Sequence, residues 1–124
     1  MAKVTGPDFV ALQVRDLARS RQFYTERLGL EVAPQSPPHA VVFRTAPIPF
    51  AIREPMVDLE AVPHLGWGVA LWLACDDADA LAASLEAAGV TLAQRPQDGA
   101  FGRQFSFVDP DGYILTVHGG VAGR

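Results

Sequence analysis

The residues of this chain that could do chemistry are few and widely spaced. Its three histidines are His39, His64 and His118, and its one cysteine is Cys75. A metal or acid–base centre needs several such side chains to converge on one point. His39 follows two prolines and His64 lies in a loop, so both are predicted to pack at the surface, and Cys75 is predicted to be a structural thiol. The sequence therefore predicts no metal and no cofactor, and His118 has the best case for a functional role.

A pair of carboxylates, Asp109 and Asp111, offers a second possible acid–base arrangement. They belong to the segment Asp109-Pro110-Asp111-Gly112. Proline in the second position and glycine in the last are typical of a type I turn, in which aspartate side chains bind backbone amides. The turn accounts for both residues, so a catalytic role is not predicted for them.

Two aromatic residues are flanked by glycines. Trp67 lies in the loop Pro63 to Gly68, and Phe101 lies in the segment Asp98 to Arg103. Such loops are often lids over a binding site. The alternative is a glycine-rich connection whose aromatic ring packs on the nearest apolar surface, and the sequence leaves both open. Arg44 and Arg103 could bind an anion, but each alone is expected to be solvated.

The first half of the chain contains the elements that must position these residues. Phe9 to Val14 alternates as a half-buried strand does, with Val10, Leu12 and Val14 on one face. Asp16 is a predicted N-cap and Gly29 a predicted C-cap of one helix. The predicted elements in order are a strand at Phe9 to Val14, a helix at Leu17 to Leu28, and strands at Leu30 to Val32, His39 to Thr45 and Ile48 to Arg53.

The second half repeats this order. Val10-Ala11-Leu12 matches Val69-Ala70-Leu71 at an offset of 59, and Gly29 matches Gly89 at an offset of 60. The predicted helix carries Leu81, Leu85 and Ala88 on one stripe. Its elements are a strand at Val69 to Leu73, a helix at Ala78 to Ala88, and strands at Val90 to Ala93, Gln104 to Val108 and Tyr113 to His118.

Length and composition limit the classes of function. The 124 residues, 49% of them hydrophobic, are expected to form a single domain, 1–124, with module one at about 7–57 and module two at about 66–120. The net charge of −4 without a basic run argues against nucleic acid as a partner. The longest apolar run, about ten residues, is too short to cross a membrane. One cysteine and no apolar leader favour a reducing, cytoplasmic location.

Two motifs in these modules resemble a known family. They are VRDLARSRQFYTERLGL at Val14 to Leu30 and FVDPDGY at Phe107 to Tyr113. Together, at this spacing, they are similar to the vicinal oxygen chelate superfamily, which includes glyoxalase I, extradiol dioxygenases and bleomycin resistance proteins. The resemblance covers about Phe9 to His118. It implies an α+β fold in which two βαβββ modules form a cup-shaped curved mixed sheet, with the helices outside.

The resemblance also implies four positions at which enzymes of the family hold a divalent metal with His or Glu. In this sequence they fall on Phe9, Gly68 and Thr116, and near Ala51. Phenylalanine and glycine have no donor side chain, and a threonine hydroxyl is a poor substitute for a carboxylate. This chain therefore resembles the metal-free, bleomycin-resistance-like branch of the family.

Strand alternation then indicates which residues would face the cup. Aromatic rings among small residues such as Ala11, Gly68 and Ala70 suit a flat, partly polar organic ligand. The alternative is that the rings fill a closed core. Trp72 is placed at the position equivalent to Gln13. The candidate ligand-binding residues are Phe9, Gln13, Phe43, Arg53, Trp67, Trp72, Phe101, Thr116 and His118.

These residues and the resemblance together predict a function in antibiotic resistance. We expect a non-catalytic protein that binds and sequesters an aromatic antibiotic or a related natural product and so confers self-resistance. The expected partner is that small aromatic molecule, with no nucleic acid and no membrane. The resemblance implies a homodimer in which both chains complete each cup. The alternatives are a metal-independent or weakly metal-dependent glyoxalase-like lyase, isomerase or oxygenase acting on a small aromatic or carbonyl substrate, and an inert protein with a collapsed cup.

Overall fold

Each half of the chain folds around its own sheet and helix. The computed structural model describes residues 2–119 and divides the chain into two units, Met1–Leu59 (unit 1) and Glu60–Arg124 (unit 2). Unit 1 has a three-stranded sheet and unit 2 a four-stranded sheet. This mixture of helices and small mixed sheets confirms the predicted α+β class.

Unit 1 has three strands and one helical segment. Its strand order is β1-β3-β2, with β1 parallel and β2 antiparallel to the central β3. The elements are β1 (Val10–Gln13), α1 (Leu17–Gln22), a π-helical turn (Phe23–Arg27), β2 (Ala40–Phe43) and β3 (Phe50–Arg53).

The helical segment of unit 1 covers nearly the predicted range, but only its first part, α1, is α-helical, and the π-helical turn Phe23–Arg27 follows. The Asp16 side chain accepts a hydrogen bond from the Arg19 amide at 3.1 Å, as an N-cap does. The Thr25 hydroxyl donates to the Arg21 carbonyl at 2.8 Å, a back-bond that bends helices, and it lies inside the π-helical turn. Gly29, at φ 75°, then ends the segment in a conformation that favours glycine.

The core of unit 1 is aromatic. Tyr24 is fully buried, with ring centroids 5.9 Å from Phe43 and 5.3 Å from Phe50. Phe43 and Phe50 are stacked at 5.8 Å, and Ile52 is buried on the same face of the sheet. This packing fixes the π-helical turn against β2 and β3, because Tyr24, Phe43 and Phe50 come from these three elements.

The predicted strand at Leu30 to Val32 is reduced to a single bridge between Val32 and Phe43. Backbone hydrogen bonds flank the bridge, from Ala33 to the Val42 carbonyl and from Arg44 to the Glu31 carbonyl, both at 2.8 Å. Pro34 follows directly, and a proline cannot donate to a strand ladder. The expectation of a full fourth strand in this half is therefore corrected.

Unit 2 has the complete βαβββ order that the sequence predicts. Its sheet has the order β4-β7-β6-β5, with β4 parallel to β7 and the other neighbours antiparallel. The elements are β4 (Trp72–Cys75), α2 (Ala78–Ala87), β5 (Leu92–Gly99), β6 (Gly102–Val108) and β7 (Ile114–Gly119).

The first strand of unit 2 lies three residues later than predicted. The Val69 amide donates to the Gly66 carbonyl at 3.1 Å, so Val69 closes a turn and does not begin a strand. The N-caps Asp16 and Asp77 are 61 positions apart, which replaces the offset of 59 at this point of the repeat. At that offset Trp72 is equivalent to Ala11 and not to Gln13.

Helix α2 packs through small residues. Its buried positions are Ala78, Ala82 and Leu85, whereas Leu81 is half-buried and Ala88 is exposed. The predicted stripe was therefore right only at Leu85. Alanines on the buried side allow the helix backbone to approach the sheet closely, and the larger Leu81 side chain lies at the edge of the contact.

The turn between β6 and β7 confirms the structural role predicted for Asp109. Its Oδ1 accepts hydrogen bonds from the backbone amides of Asp111 at 2.9 Å and Tyr113 at 3.0 Å. Gly112, at φ 100°, completes the turn. These hydrogen bonds from the backbone to the buried Asp109 carboxylate hold the turn that joins β6 to β7. Among residues 2–119, no helix is long and apolar enough to cross a membrane.

Candidate ligand-binding site

The exposed side of the unit 2 sheet, called here the open face, follows from alternation along β7. Leu115 and Val117 are buried, while Ile114 is 58% exposed and Thr116 and His118 are partly exposed. Successive side chains of a strand point to opposite faces, so Ile114, Thr116 and His118 share one face. The register brings Trp72 of β4 beside Thr116.

Three rings meet on the open face. The centroid of Trp72 lies 5.6 Å from that of His118 and 5.7 Å from that of Phe101, and Phe101 lies 6.4 Å from His118. All three pairs are edge-to-face, which is a favoured geometry for aromatic rings. Trp72 is 40% exposed and Phe101 is 67% exposed. The structure therefore brings together three of the predicted site residues, which we call the aromatic cluster.

Polar groups lie beside the aromatic cluster. The hydroxyls of Ser106 and Thr116 are 3.0 Å apart, and either can donate to the other. Gln104 is the register partner of His118, and its side chain lies against Gly99, where a Cβ would overlap it. The open face therefore offers hydroxyl and amide groups within one or two residues of the rings.

Ser106 and Gln104 were missed by the sequence prediction. A signal for them exists, because the turn at Asp109 to Gly112 fixes how β6 and β7 pair. Counting back from that turn sets Ser106 opposite Thr116 and Gln104 opposite His118, which is the register observed. Once Thr116 and His118 are candidates, their cross-strand partners are candidates as well.

The segment that carries Phe101 is a tight hairpin. Gly99 pairs with Gly102, so only Ala100 and Phe101 form the turn between β5 and β6. This favours the second of the two interpretations of this segment, a glycine-rich connection whose ring packs on a nearby surface. The surface is that of Trp72 and His118.

The sequence predicts that Arg103 is solvated, but in the structure its guanidinium binds two carboxylates. Its Nε and Nη2 donate to the Asp79 carboxylate at 3.0 and 2.9 Å, and its Nη1 lies 3.4 Å from Asp98 Oδ1. The hydrogen bonds from Arg103 hold the pKa of the Asp79 carboxyl below its usual value. They also raise the pKa of the Arg103 guanidinium. Arg44, by contrast, is exposed in an ion pair with Glu31 at 3.0 Å.

Trp67 lies outside the aromatic cluster. It is 79% exposed, and its ring stands edge-on to His64 at 5.3 Å. The loop around it is held by a turn in which the Trp67 amide donates to the His64 carbonyl at 3.3 Å. The Gly66 backbone lies against the ring of Tyr113, and a side chain there would crowd that ring.

The predicted site residues of unit 1 are arranged differently. Phe9 is 50% exposed. Gln13 accepts a hydrogen bond from the Met56 amide at 2.6 Å, and Arg53 donates through Nε to the Glu54 carbonyl at 3.2 Å. Phe43 is fully buried in the core against Tyr24 and Phe50, so its assignment as a ligand-binding residue is corrected. It faces the core because it lies in register with Phe50.

The other candidate groups have local roles. Burial raises the pKa of the Cys75 thiol, which disfavours the reactive thiolate. His39 Nδ1 lies 3.1 Å from Glu54 Oε1 in an exposed pair. Within residues 2–119, no three His, Cys, Asp or Glu side chains are grouped so that they could hold a metal ion. With the corrected offset of 61, the position equivalent to Phe9 is Ala70, which also lacks a donor group.

Comparison with known proteins agrees with this fold. A model of the glyoxalase/bleomycin resistance protein/dioxygenase superfamily matches residues 6–117. No curated protein sequence matches the chain.

Several solved structures are similar over nearly their whole length. One, a protein of unknown function from Agrobacterium tumefaciens str. C58, has 28% identity and a TM-score of 0.73, with 97% of this chain and 98% of that chain covered. A glyoxalase/bleomycin resistance protein from Streptomyces sp. CB03234 has 26% identity and a TM-score of 0.70, covering 91% and 99%. TnmS3, an antibiotic binding protein from the same source, has 24% identity, a TM-score of 0.71 and coverage of 97% and 99%, and shows a shared fold.

Proposed function

Because this chain belongs to the glyoxalase/bleomycin resistance protein/dioxygenase superfamily, we propose that it binds and sequesters a flat aromatic antibiotic or a related natural product. The observation that carries the proposal is the aromatic cluster of Trp72, Phe101 and His118 on the open face. Sequestration needs affinity alone, so it requires no catalytic group.

The exposure of the cluster supports a binding role over a packing role. Core aromatic residues of this protein, such as Phe105 and Phe107, are fully buried, whereas Trp72 and Phe101 keep large parts of their rings accessible. Exposed apolar groups that lie together mark interaction sites more often than single exposed residues do. Each aromatic contact with a planar ligand contributes about 0.5–1.5 kcal/mol beyond its buried area.

The polar groups of the open face support a ligand that is only partly apolar. The Ser106 and Thr116 hydroxyls each keep acceptor capacity after bonding one another at 3.0 Å. A ligand oxygen or nitrogen placed beside the rings would find these groups and the Gln104 amide within the same strand pair. Ligand sites typically combine aromatic walls with a few such groups.

Two of the similar structures support the class of ligand. One is described as an antibiotic binding protein and another as a glyoxalase/bleomycin resistance protein, both from Streptomyces sp. CB03234. The proposal also keeps the expectations drawn from the sequence, namely a homodimer, a cytoplasmic location and a role in self-resistance. The fold also hosts enzymes, so the likeness favours sequestration only together with the cluster.

The test is a titration with a panel of planar aromatic antibiotics in which binding is monitored by tryptophan fluorescence. Two matched variants separate the reporters, since Trp67→Phe leaves Trp72 as the only tryptophan and Trp72→Phe leaves Trp67. We expect saturable quenching in the wild-type protein and in Trp67→Phe, and little change in Trp72→Phe. Quenching that persists in Trp72→Phe and is absent from Trp67→Phe would place the ligand near Trp67 and contradict the proposal.

Recovery of the bound molecule distinguishes sequestration from catalysis. After incubation the ligand is extracted and its mass is measured. An unchanged mass is expected. A changed mass that accumulates with time and protein concentration would contradict sequestration and favour the lyase, isomerase or oxygenase alternative.

A further inference from the structure

The β5–β6 hairpin extends past the strand that supports it. Register shifts interrupt its ladder between Leu92 and Gln94 and again between Gln94 and Gln97. Strand β7 pairs with β6 only from Gln104 onward. Within residues 2–119, the last hairpin pairs, Asp98–Arg103 and Gly99–Gly102, therefore have no register partner in β7. The tip that carries Phe101 depends on other contacts for its position.

Arg103 supplies such a contact on the side of the sheet opposite the aromatic cluster. It shares the alternation of Phe105 and so points away from Gln104 and the open face. Two of its nitrogens bind both oxygens of Asp79, in the first turn of α2, and a third reaches Asp98. A guanidinium held in this two-pronged way fixes direction as well as distance.

The Arg103 side chain is also more enclosed than those of the other paired arginines. It is 27% exposed, whereas Arg95, which binds Glu86 of α2 from the same hairpin, is 73% exposed. Both are arginines of this hairpin bound to a carboxylate of the same helix. They differ in position, since Arg103 is two residues from Phe101 and Arg95 is not near the tip. Arg95 is therefore a matched reference for an ordinary surface pair.

We propose that Arg103 is a positioning residue for the ligand surface. By joining the hairpin tip to the start of α2, it holds the Phe101 ring against Trp72 and His118. Its effect on ligand affinity rests on the proposed function, whereas its effect on the position of Phe101 does not. Arg103 does not touch the ligand in this proposal and acts through Phe101.

The first test needs no ligand. In a Trp67→Phe background, acrylamide quenching reports how far Phe101 shields Trp72. Arg103→Lys keeps the charge but loses the two-pronged geometry, and Asp79→Asn weakens the same contact from the helix. Both are expected to raise the quenching constant of Trp72, toward the value of Phe101→Ala. The control Arg95→Lys is expected to leave it unchanged.

The second test is a double-mutant cycle for the binding of the panel compound that quenches Trp72 most strongly. Arg103→Lys is expected to weaken binding about two- to fivefold, the range of a partly exposed ion pair. In a Phe101→Ala background the same substitution should have no further effect, because the ring it positions is gone. An undiminished effect in that background would overturn the proposal, since Arg103 would then act by another route.

The outcomes separate this proposal from the function itself. If no compound binds but Arg103→Lys and Asp79→Asn expose Trp72, sequestration fails and the positioning role stands. If compounds bind but the quenching constants of Trp72 in Arg103→Lys and Asp79→Asn match that in Arg95→Lys, the positioning role fails and sequestration stands. Thermal unfolding of each variant, with a midpoint close to that of the wild type, checks that the fold is retained.

Discussion

The corresponding strand pairs of the two units carry different side chains on the same plan. In unit 1, the parallel pair β1–β3 sets Ala11 beside Ala51. In unit 2, the parallel pair β4–β7 sets Trp72 beside Thr116. Ala11 and Trp72 are equivalent at the offset of 61 given by the helix caps. The two units share this pairing of parallel strands, and the aromatic surface comes from the side chains of unit 2.

The next residues along these strand pairs differ in how their polar groups are used. Gln13 and Arg53 of unit 1 are hydrogen-bonded to the backbone at Met56 and Glu54. The equivalent place in unit 2 pairs Ala74 with His118, whose ring contacts Trp72 and Phe101. This comparison teaches that a repeated module need not repeat its site. In unit 1 the Gln13 and Arg53 side chains bond to the backbone, whereas in unit 2 the His118 ring lies partly exposed on the open face.

The largest difference is expected between two variants, one that loses a buried phenylalanine of unit 1 and one that loses an exposed phenylalanine of unit 2. Phe43→Ala removes a ring from the unit 1 core and should lower the free energy of unfolding by about 3–5 kcal/mol. Phe101→Ala removes an exposed ring and should change it by about 0.5–1 kcal/mol at most. Urea unfolding of both variants measures the difference. Similar losses in both would contradict the contrast between a core ring and a displayed ring.

The second effect concerns ligand affinity. Trp72→Ala should weaken binding about 10- to 100-fold, as truncation of a central aromatic residue does at binding sites. Phe9→Ala, the matched change at an exposed aromatic residue of unit 1, should weaken it less than about twofold. Calorimetric titration with the same compound compares them. A larger loss for Phe9→Ala would move the site to unit 1.

The sequence predicted most of the fold because its signals were local. The caps Asp16 and Asp77, the turn at Asp109 and the alternation of β7 each involve a few neighbouring residues. Thr116 and His118 were placed correctly on one face for the same reason. The shortened strand at Val32 also has a local cause, since Pro34 lies two residues further on and cannot donate to a strand ladder.

One error arose where a local turn overrode a strand pattern, and the others arose where the outcome depends on partners in another element. Val69-Ala70-Leu71 has the pattern of a strand, but the bond from the Val69 amide to the Gly66 carbonyl makes Val69 close a turn, and β4 begins at Trp72. Phe43 was assigned to the site although it lies in register with Phe50 and faces the core. Arg103 and Asp79 are 24 residues apart, and no local pattern predicts that they bind.

The third prediction tests whether the two units are equivalent at their helix starts. Asp16→Ala and Asp77→Ala each remove a side chain that accepts from a backbone amide three residues later, at 3.1 and 3.0 Å. Each should lower the free energy of unfolding by about 1 kcal/mol. Asp76→Ala, beside the second cap, is the control and should cost less. Asparagine at either cap should restore most of the loss, and a failure to do so would argue against capping.

The smallest effect is the pH dependence of the contact between Arg103 and Asp79, which is found only in unit 2. The pKa of Asp79 is lowered, chiefly by the hydrogen bonds from Arg103. A lowered pKa in the folded state means that the contact stabilises above the usual aspartate pKa and is lost as pH falls through the folded value. The contact should therefore persist into more acidic solution than an unpaired aspartate would allow. Carboxyl NMR titration of Asp79 measures this directly.

Substitution of the arginine sharpens that measurement. In Arg103→Gln the guanidinium is absent, so the pKa of Asp79 should rise toward its usual value. Any change in the acrylamide quenching of Trp72 that follows the titration of Asp79, measured in a Trp67→Phe background, should also disappear in this variant. Arg95→Gln removes an equal charge from the same hairpin, where Arg95 pairs with Glu86 at 2.6 Å. It should leave the Asp79 titration in place, because screening weakens exposed charges that are not in contact. Equal shifts of the Asp79 pKa in Arg103→Gln and Arg95→Gln would mean that Asp79 responds to net charge. The contact between Arg103 and Asp79 would then not be a specific feature of unit 2.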